Sequence, residues 1–78
     1  MTRLPRDISG RELAKGLGRE FGYVVTRQTG SHIRITTAVE GQHHVTIPDH
    51  PALRLGTLSG ILGDVSEHFS LSKDEVVR

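Results

Sequence analysis

Cysteine is missing from the 78-residue chain, lysine occurs only twice, and no apolar run is long enough to cross a bilayer. The first absence excludes disulfide staples and thiolate metal sites and fits a reducing compartment. The third excludes a membrane-spanning helix. The opening Met1-Thr2-Arg3-Leu4-Pro5-Arg6 lacks the apolar stretch of a signal peptide, so a cytoplasmic location is expected. Net charge is also nearly missing, at +1. That argues against bulk nucleic-acid binding, which draws its affinity from many phosphate contacts. The scarcity of lysine, with only Lys15 and Lys73, weighs against a double-stranded-RNA binder that spans phosphates with lysines.

Charge is uneven along the chain. Arg3, Arg6, Arg11, Lys15, Arg19, Arg27 and Arg34 outweigh Asp7, Glu12 and Glu20 in the first half, and the tail is acidic. A basic half steers anionic ligands. At this length the chain is read as one domain, residues 1–78.

Ser9-Gly10-Arg11-Glu12 has capping-box spacing, with Ile8 and Leu13 placed as a staple. Leu13, Leu17 and Phe21 follow at steps of four, and Gly22 is a natural left-handed stop, so a first helix is expected over about 10–21. Tyr23 to Gln28 reads as a strand, with Tyr23 and Val25 on one side and Val24, Thr26 and Gln28 on the other. His32–Thr37 and His43–Pro48 read as two more strands, reversing at Gly30-Ser31 and Glu40-Gly41. Thr57 is the expected N-cap of a second helix whose buried stripe is Leu58, Ile61, Leu62 and Val65, with Gly60 and Gly63 either packing closely on the first helix or shortening the second. Ser72-Lys73-Asp74-Glu75 repeats the capping-box spacing. The fold class is therefore α+β, in the α-β-β-β-α order of a double-stranded-RNA-binding domain. A three-stranded antiparallel sheet carries both helices on the face of Tyr23, Val25, Ile33, Ile35, Val45 and Ile47.

Alternation places His32, Arg34, Thr36, His44 and Thr46 together on the opposite, open face. Acid–base groups, a permanent cation and hydroxyls side by side suit a phosphodiester. The adjacent Gly30-Ser31 turn offers backbone N–H groups to an anion. His43 and His44, neighbours on a strand, point to opposite faces, which disfavours a shared metal site; no metal and no cofactor is expected.

Two segments resemble the HicA-type (YcfA-like) toxin family of bacteria and archaea. Gly22-Tyr23 through Arg27-Gln28 to Gly30-Ser31-His32 is similar to the family's Gly-aromatic, Arg-Gln and Gly-Ser-His run. Pro48-Asp49-His50 followed by Gly56-Thr57-Leu58-Ser59-Gly60-Ile61-Leu62 is similar to its Pro-x-His and Gly-Thr-Leu-x-x-Ile-Leu. The family departs from this chain after the histidine, where it often has an aromatic or a second histidine in place of Ile33-Arg34, and in a more basic second helix. The resemblance implies a small ribonuclease that cuts mRNA and is neutralised by a HicB-like antitoxin protein, with His32 as the catalytic residue.

On that basis His32 is expected to deprotonate a ribose 2′-OH without metal, and Arg34 to stabilise the phosphorane. Arg27, Gln28, Gly30, Ser31 and His44 are expected to hold RNA, with His44 also a candidate second proton carrier. His50 is read as tying its loop to the second helix, His43 as without a role, and His68 as a helix-end cation. The competing expectations are a non-catalytic RNA-binding or protein-interaction module of the same fold.

Overall fold

A computed structural model describes residues 7–71. The lead-in Met1–Arg6 and the expected Ser72–Glu75 capping turn lie outside the described residues. The order is α1 (Gly10–Phe21), β1 (Val24–Thr29), β2 (His32–Thr37), β3 (His43–Pro48) and α2 (Leu55–Phe69). The three strands form one antiparallel sheet with β2 in the middle.

The capping box at the start of α1 is complete. Ser9 Oγ accepts from Glu12 N at 3.0 Å, and Glu12 Oε1 accepts from Ser9 N at 2.9 Å. These bonds satisfy two of the orphan donors of the first turn. Gly22 ends the helix in the left-handed region and donates to Gly18 O.

α2 starts earlier than its sequence suggests. Arg54 is the N-cap and makes no side-chain cap bond, so Thr57 lies inside the first turn. The reason is tertiary. Leu53 is buried and its N–H is bonded to Ile8 O at 2.8 Å, which fixes the chain's entry and lets the helix begin at once. Nor does Gly60 serve close helix packing: it is exposed, and a Cβ built there meets nothing within 4 Å. The helix is not shortened either, since it runs for 15 residues.

Leu13, Leu17, Leu58, Ile61, Leu62 and Val65 from the helices meet Ile33, Ile35, Val45 and Ile47 from the sheet in one core. Each such side chain contributes about 1.5–3 kcal/mol when fully buried. Val25, expected in this core, stays 58% exposed at the rim of a cleft between α1 and β1. It sits on an edge strand, none of whose residues is buried. Phe21 and Phe69 join the helix ends at 4.8 Å between ring centroids. Buried Thr37 donates to Phe21 O and accepts from Val39 N, so it leaves no polar group unpaired.

The N-terminus of α1 is pressed onto the end of β3. A Cβ on Gly10 would stand 1.9 Å from Pro48 O, and Gly10 N donates to His50 O at 3.0 Å. Beside this contact Asp49 takes both Nε and Nη2 of Arg11 at 3.1 Å, and Gln28 Nε2 at 3.2 Å. Its backbone N–H donates to Ser31 O at 2.6 Å. Asp49 thus ties α1, β1 and the turn before His32 to one point.

Gly10→Ala is therefore expected to destabilise the protein by about 2 kcal/mol or more, as overpacking against backbone does. Urea unfolding of the variant beside Gly16→Ala, where added bulk meets nothing, measures this; equal midpoints contradict it. The Arg11 hydrogen bond, chiefly, holds the Asp49 carboxyl below its ordinary value. A depressed carboxylate stabilises the fold above the unfolded value of about 4 and loses that contribution as pH falls through the lower folded value. Asp49→Asn should consequently differ from the parent protein in urea midpoint at pH 7, and the difference should shrink as pH falls below about 4 and on through the depressed folded value. A difference that stays the same over this range speaks against this account.

Candidate active site

Pairing of β2 with β3 sets Ile33 against Ile47, Ile35 against Val45, Arg34 against Thr46 and Thr36 against His44. Directly opposed residues share a face, so the apolar pairs turn to the helices. Arg34, Thr36, His44 and Thr46 then stand on the open face, with His32 one same-face step before Arg34.

On the other side of β2 the register breaks. Val25 pairs with Ile35 and Arg27 with Arg34, so Thr26 is an extra residue in a β-bulge. The bulge resets the alternation expected for β1. Thr26 and Arg27 both line a shallow cleft on the open face with Arg34, Thr36, Gln42 and His44, of about 280 Å³. Gln28 is carried to the helix side, opposite Ile33, where it reaches Asp49. The expectation that Gln28 lies with Thr26 on the outer side and holds RNA there is thus corrected: the bulge puts Arg27 on the open face instead, and Gln28 braces the turn before His32 from behind.

Arg27 and Arg34 are direct cross-strand partners. Two cations so placed repel. Among the described residues neither has a carboxylate partner, since the ion pairs there join Arg11 to Asp49, Arg19 to Glu20 and His43 to Asp64. No strand residue on this face is acidic.

Arg34 is held by a closed ring of hydrogen bonds. Its Nη2 meets His44 Nε2 at 3.1 Å. A guanidinium only donates, so Nε2 is the acceptor and His44 is neutral with its proton on Nδ1. That proton faces Thr36 Oγ1 at 2.8 Å. Thr36 then donates to Thr26 Oγ1 at 2.8 Å, and Thr26 donates to Arg34 O at 3.3 Å. Arg34 Nε is buried without a partner, which costs about 1–3 kcal/mol.

His32 is exposed, opposite Thr29 and Pro48 at the turn end of the sheet. Among the described residues no hydrogen bond engages its ring. Gly30 and Ser31 form the adjoining two-residue turn, Gly30 with φ 57°, as glycine at the first position of a type II′ hairpin turn requires.

His44 lies opposite Thr36, four residues from His32 along β2. That is about 13 Å at 3.3 Å per residue. The expectation that His44 passes a proton to the phosphodiester at His32 is corrected by this separation.

The other histidines are engaged elsewhere. Burial chiefly pushes the Tyr23 phenol up to about 12, with Asp64 adding to it. The phenol therefore keeps its proton and donates to His43 Nδ1 at 2.7 Å, leaving His43 Nε2 to donate to Asp64 Oδ1 at 3.3 Å. His43, read as idle, thus links the α1–β1 connection at Tyr23, β3 and α2. His68 stands in the last turn of α2, where it was expected; it also stacks on His43 at 4.4 Å and 9° and donates to Val39 O, a tie to the β2–β3 connection. His50 is exposed and its carbonyl serves α1, so the expected tie to α2 is also corrected.

Sequence reasoning gave no role to Thr26, Gln42 or Asp49. Thr26 lies on the side alternation assigned to it, and its bond to Thr36 shows only once β1 and β2 are paired; Gln42 lies just before β3. Asp49 meets Arg11 across 38 positions, with no local signal. Among the described residues no group of three His, Cys, Asp or Glu side chains is arranged to hold a metal ion.

Comparison with known proteins finds one family. The model of the HicA toxin of bacterial toxin–antitoxin systems matches residues 10–65. The searches of curated proteins and of solved structures found no match. The matched span runs from the first residue of α1 into α2 and contains every open-face residue described above, and the chain belongs to the HicA toxin family.

Proposed function

We propose that the protein is an mRNA-cleaving toxin, an endoribonuclease that works without metal and uses His32 as its general base. One observation carries this reading. An exposed imidazole with no hydrogen-bond partner among the described residues stands beside two opposed guanidinium groups on an acid-free face. Unbalanced cations at a fixed spacing are what a phosphate backbone neutralises. A free imidazole supplies acid–base chemistry near neutral pH.

In this mechanism His32 removes the 2′-OH proton. O2′ bonds to the adjacent phosphorus and the P–O5′ bond breaks. The proton on His32 then goes to the leaving 5′ oxygen, directly or through water. The products are a 2′,3′-cyclic phosphate and a 5′-OH. Arg34 stands one same-face step away, about 7 Å along the strand, but its guanidinium is turned toward His44, so it holds the RNA phosphate next to the cut rather than the phosphorus under attack. Arg27 and His44 hold the strand of RNA farther along the face, and the Gly30-Ser31 turn borders the cut. A HicB-like antitoxin protein is the partner that restrains the activity, and an mRNA substrate sets the cytoplasm as the place of action. No helix among the described residues is long and apolar enough to cross a membrane.

Purified protein should cut RNA in the presence of a chelator and leave cyclic-phosphate ends. His32→Ala should lower the rate by about 10²- to 10⁴-fold, the usual range for general acid–base help, with an unchanged circular dichroism spectrum. A folded His32→Ala that cuts at the parent rate removes His32 from the mechanism. If neither protein cuts RNA, the chain is a non-catalytic RNA-binding or interaction module.

A further inference from the structure

We propose that the open-face cleft of Thr26, Arg27, Arg34, Thr36, Gln42 and His44 is a nucleotide subsite separate from the point of cleavage, so that the protein selects single-stranded RNA extending beyond the cut. The inference rests on the ribonuclease reading for its geometry and goes beyond it in assigning the cleft a substrate nucleotide of its own.

Three features set the cleft apart from the surroundings of His32. The first is distance. Its His44 end is about 13 Å along the strand from His32. That exceeds one nucleotide step along an extended backbone, so a group in the cleft belongs to a nucleotide beyond the one being cut. The second is charge. Arg27 and Arg34 face each other across the two strands without a carboxylate partner among the described residues. The third is orientation. The hydrogen-bond ring turns the Arg34 guanidinium toward His44, into the cleft, and fixes it before any ligand arrives.

The chemistry suits an unpaired nucleotide. Guanidinium and imidazole planes stack on bases, and guanidinium groups also pair with phosphate. Gln42 at the rim carries both a donor and an acceptor, as contact with a base edge requires. A duplex keeps its base edges in grooves, where a flat sheet face reaches few of them, and single strands display theirs.

The test compares cleavage of a dinucleoside monophosphate with that of oligoribonucleotides lengthened on the 5′ or the 3′ side. The parent protein should gain about tenfold or more in kcat/KM when the extension reaches the cleft, the size of one base–protein stacking contact. Extension on one side only should give this gain. Arg27→Ala and Gln42→Ala should each reduce the ratio of long to short kcat/KM. Both positions are exposed, so circular dichroism should show intact folds.

A fluorescent 2′-deoxy oligonucleotide, which cannot be cut by 2′-OH attack, provides a second readout by anisotropy. It should bind more tightly when lengthened, and less so with either variant. If RNA is not cut but this length-dependent binding holds, the subsite stands and the ribonuclease reading fails. If RNA is cut with no gain from length, or with a gain that neither variant reduces, the subsite is overturned. A deoxy-oligonucleotide that binds with no dependence on length, where RNA is not cut, overturns it as well.

Discussion

Ile33, Ile35, Val45 and Ile47 must all reach the two helices, and that single demand settles what the other side of the sheet presents. The pleat sends alternate residues to opposite faces, so burying these four commits Arg34, Thr36, His44 and Thr46 to the uncovered face, with His32 at its end. A one-residue slip in register would bury a guanidinium and an imidazole and expose the core. The cost of that exchange, several side chains at about 1.5–3 kcal/mol each, holds the open face in place as firmly as it holds the fold. The Gly10 contact with Pro48 and the Asp49 cluster then pin the His32 end of the sheet to α1. The position of the proposed base is thus inherited from core packing.

Within that frame the bulge at Thr26 adds what alternation alone withholds. Without it, Arg27 would face the helix side and Gln28 the open one. With it, Arg27 stands opposite Arg34. Like charges on directly opposed strand residues repel, and no acidic strand residue on the face offsets this. A buried, unpartnered Arg34 Nε adds to the cost. An anionic ligand relieves the repulsion between the paired cations, which is why they point to binding.

Much of this was legible in the sequence, and what was not has physical causes. The Ser9–Glu12 box, the Gly22 stop and the strand alternation of β2 and β3 are local signals, and the elements they announce formed where expected. They sufficed to place His32, Arg34, Thr36 and His44 on one face. The bulge left no mark, because one extra residue in a strand changes neither composition nor propensity; the faces of Arg27 and Gln28 went with it. The start of α2 was misread because a bond from Leu53 N to Ile8 O, across 45 positions, replaced the local cap. Val25 looked like core by alternation, yet an edge strand leaves it half uncovered. The separation of His32 from His44 was implicit in the register all along, since both positions follow once the strands are paired.

The histidines show how identical side chains acquire different work from their partners. His43 has both ring nitrogens occupied, by Tyr23 and Asp64, and a ring stacked on His68, so its proton is committed to holding three parts of the chain together. His44 has both nitrogens occupied as well, but by neighbours on the open face, and its neutral tautomer serves to aim a guanidinium. His32 alone on this face has a ring with no hydrogen bond among the described residues, and a proton acceptor with no resident partner is the one a substrate can claim. In the proposed reaction His32 must then both take and return the proton, with water the only other carrier. A base working without a dedicated acid gives a slow ribonuclease, and a slow one is sufficient where the target is a cell's own mRNA and an antitoxin is expected to restrain the enzyme.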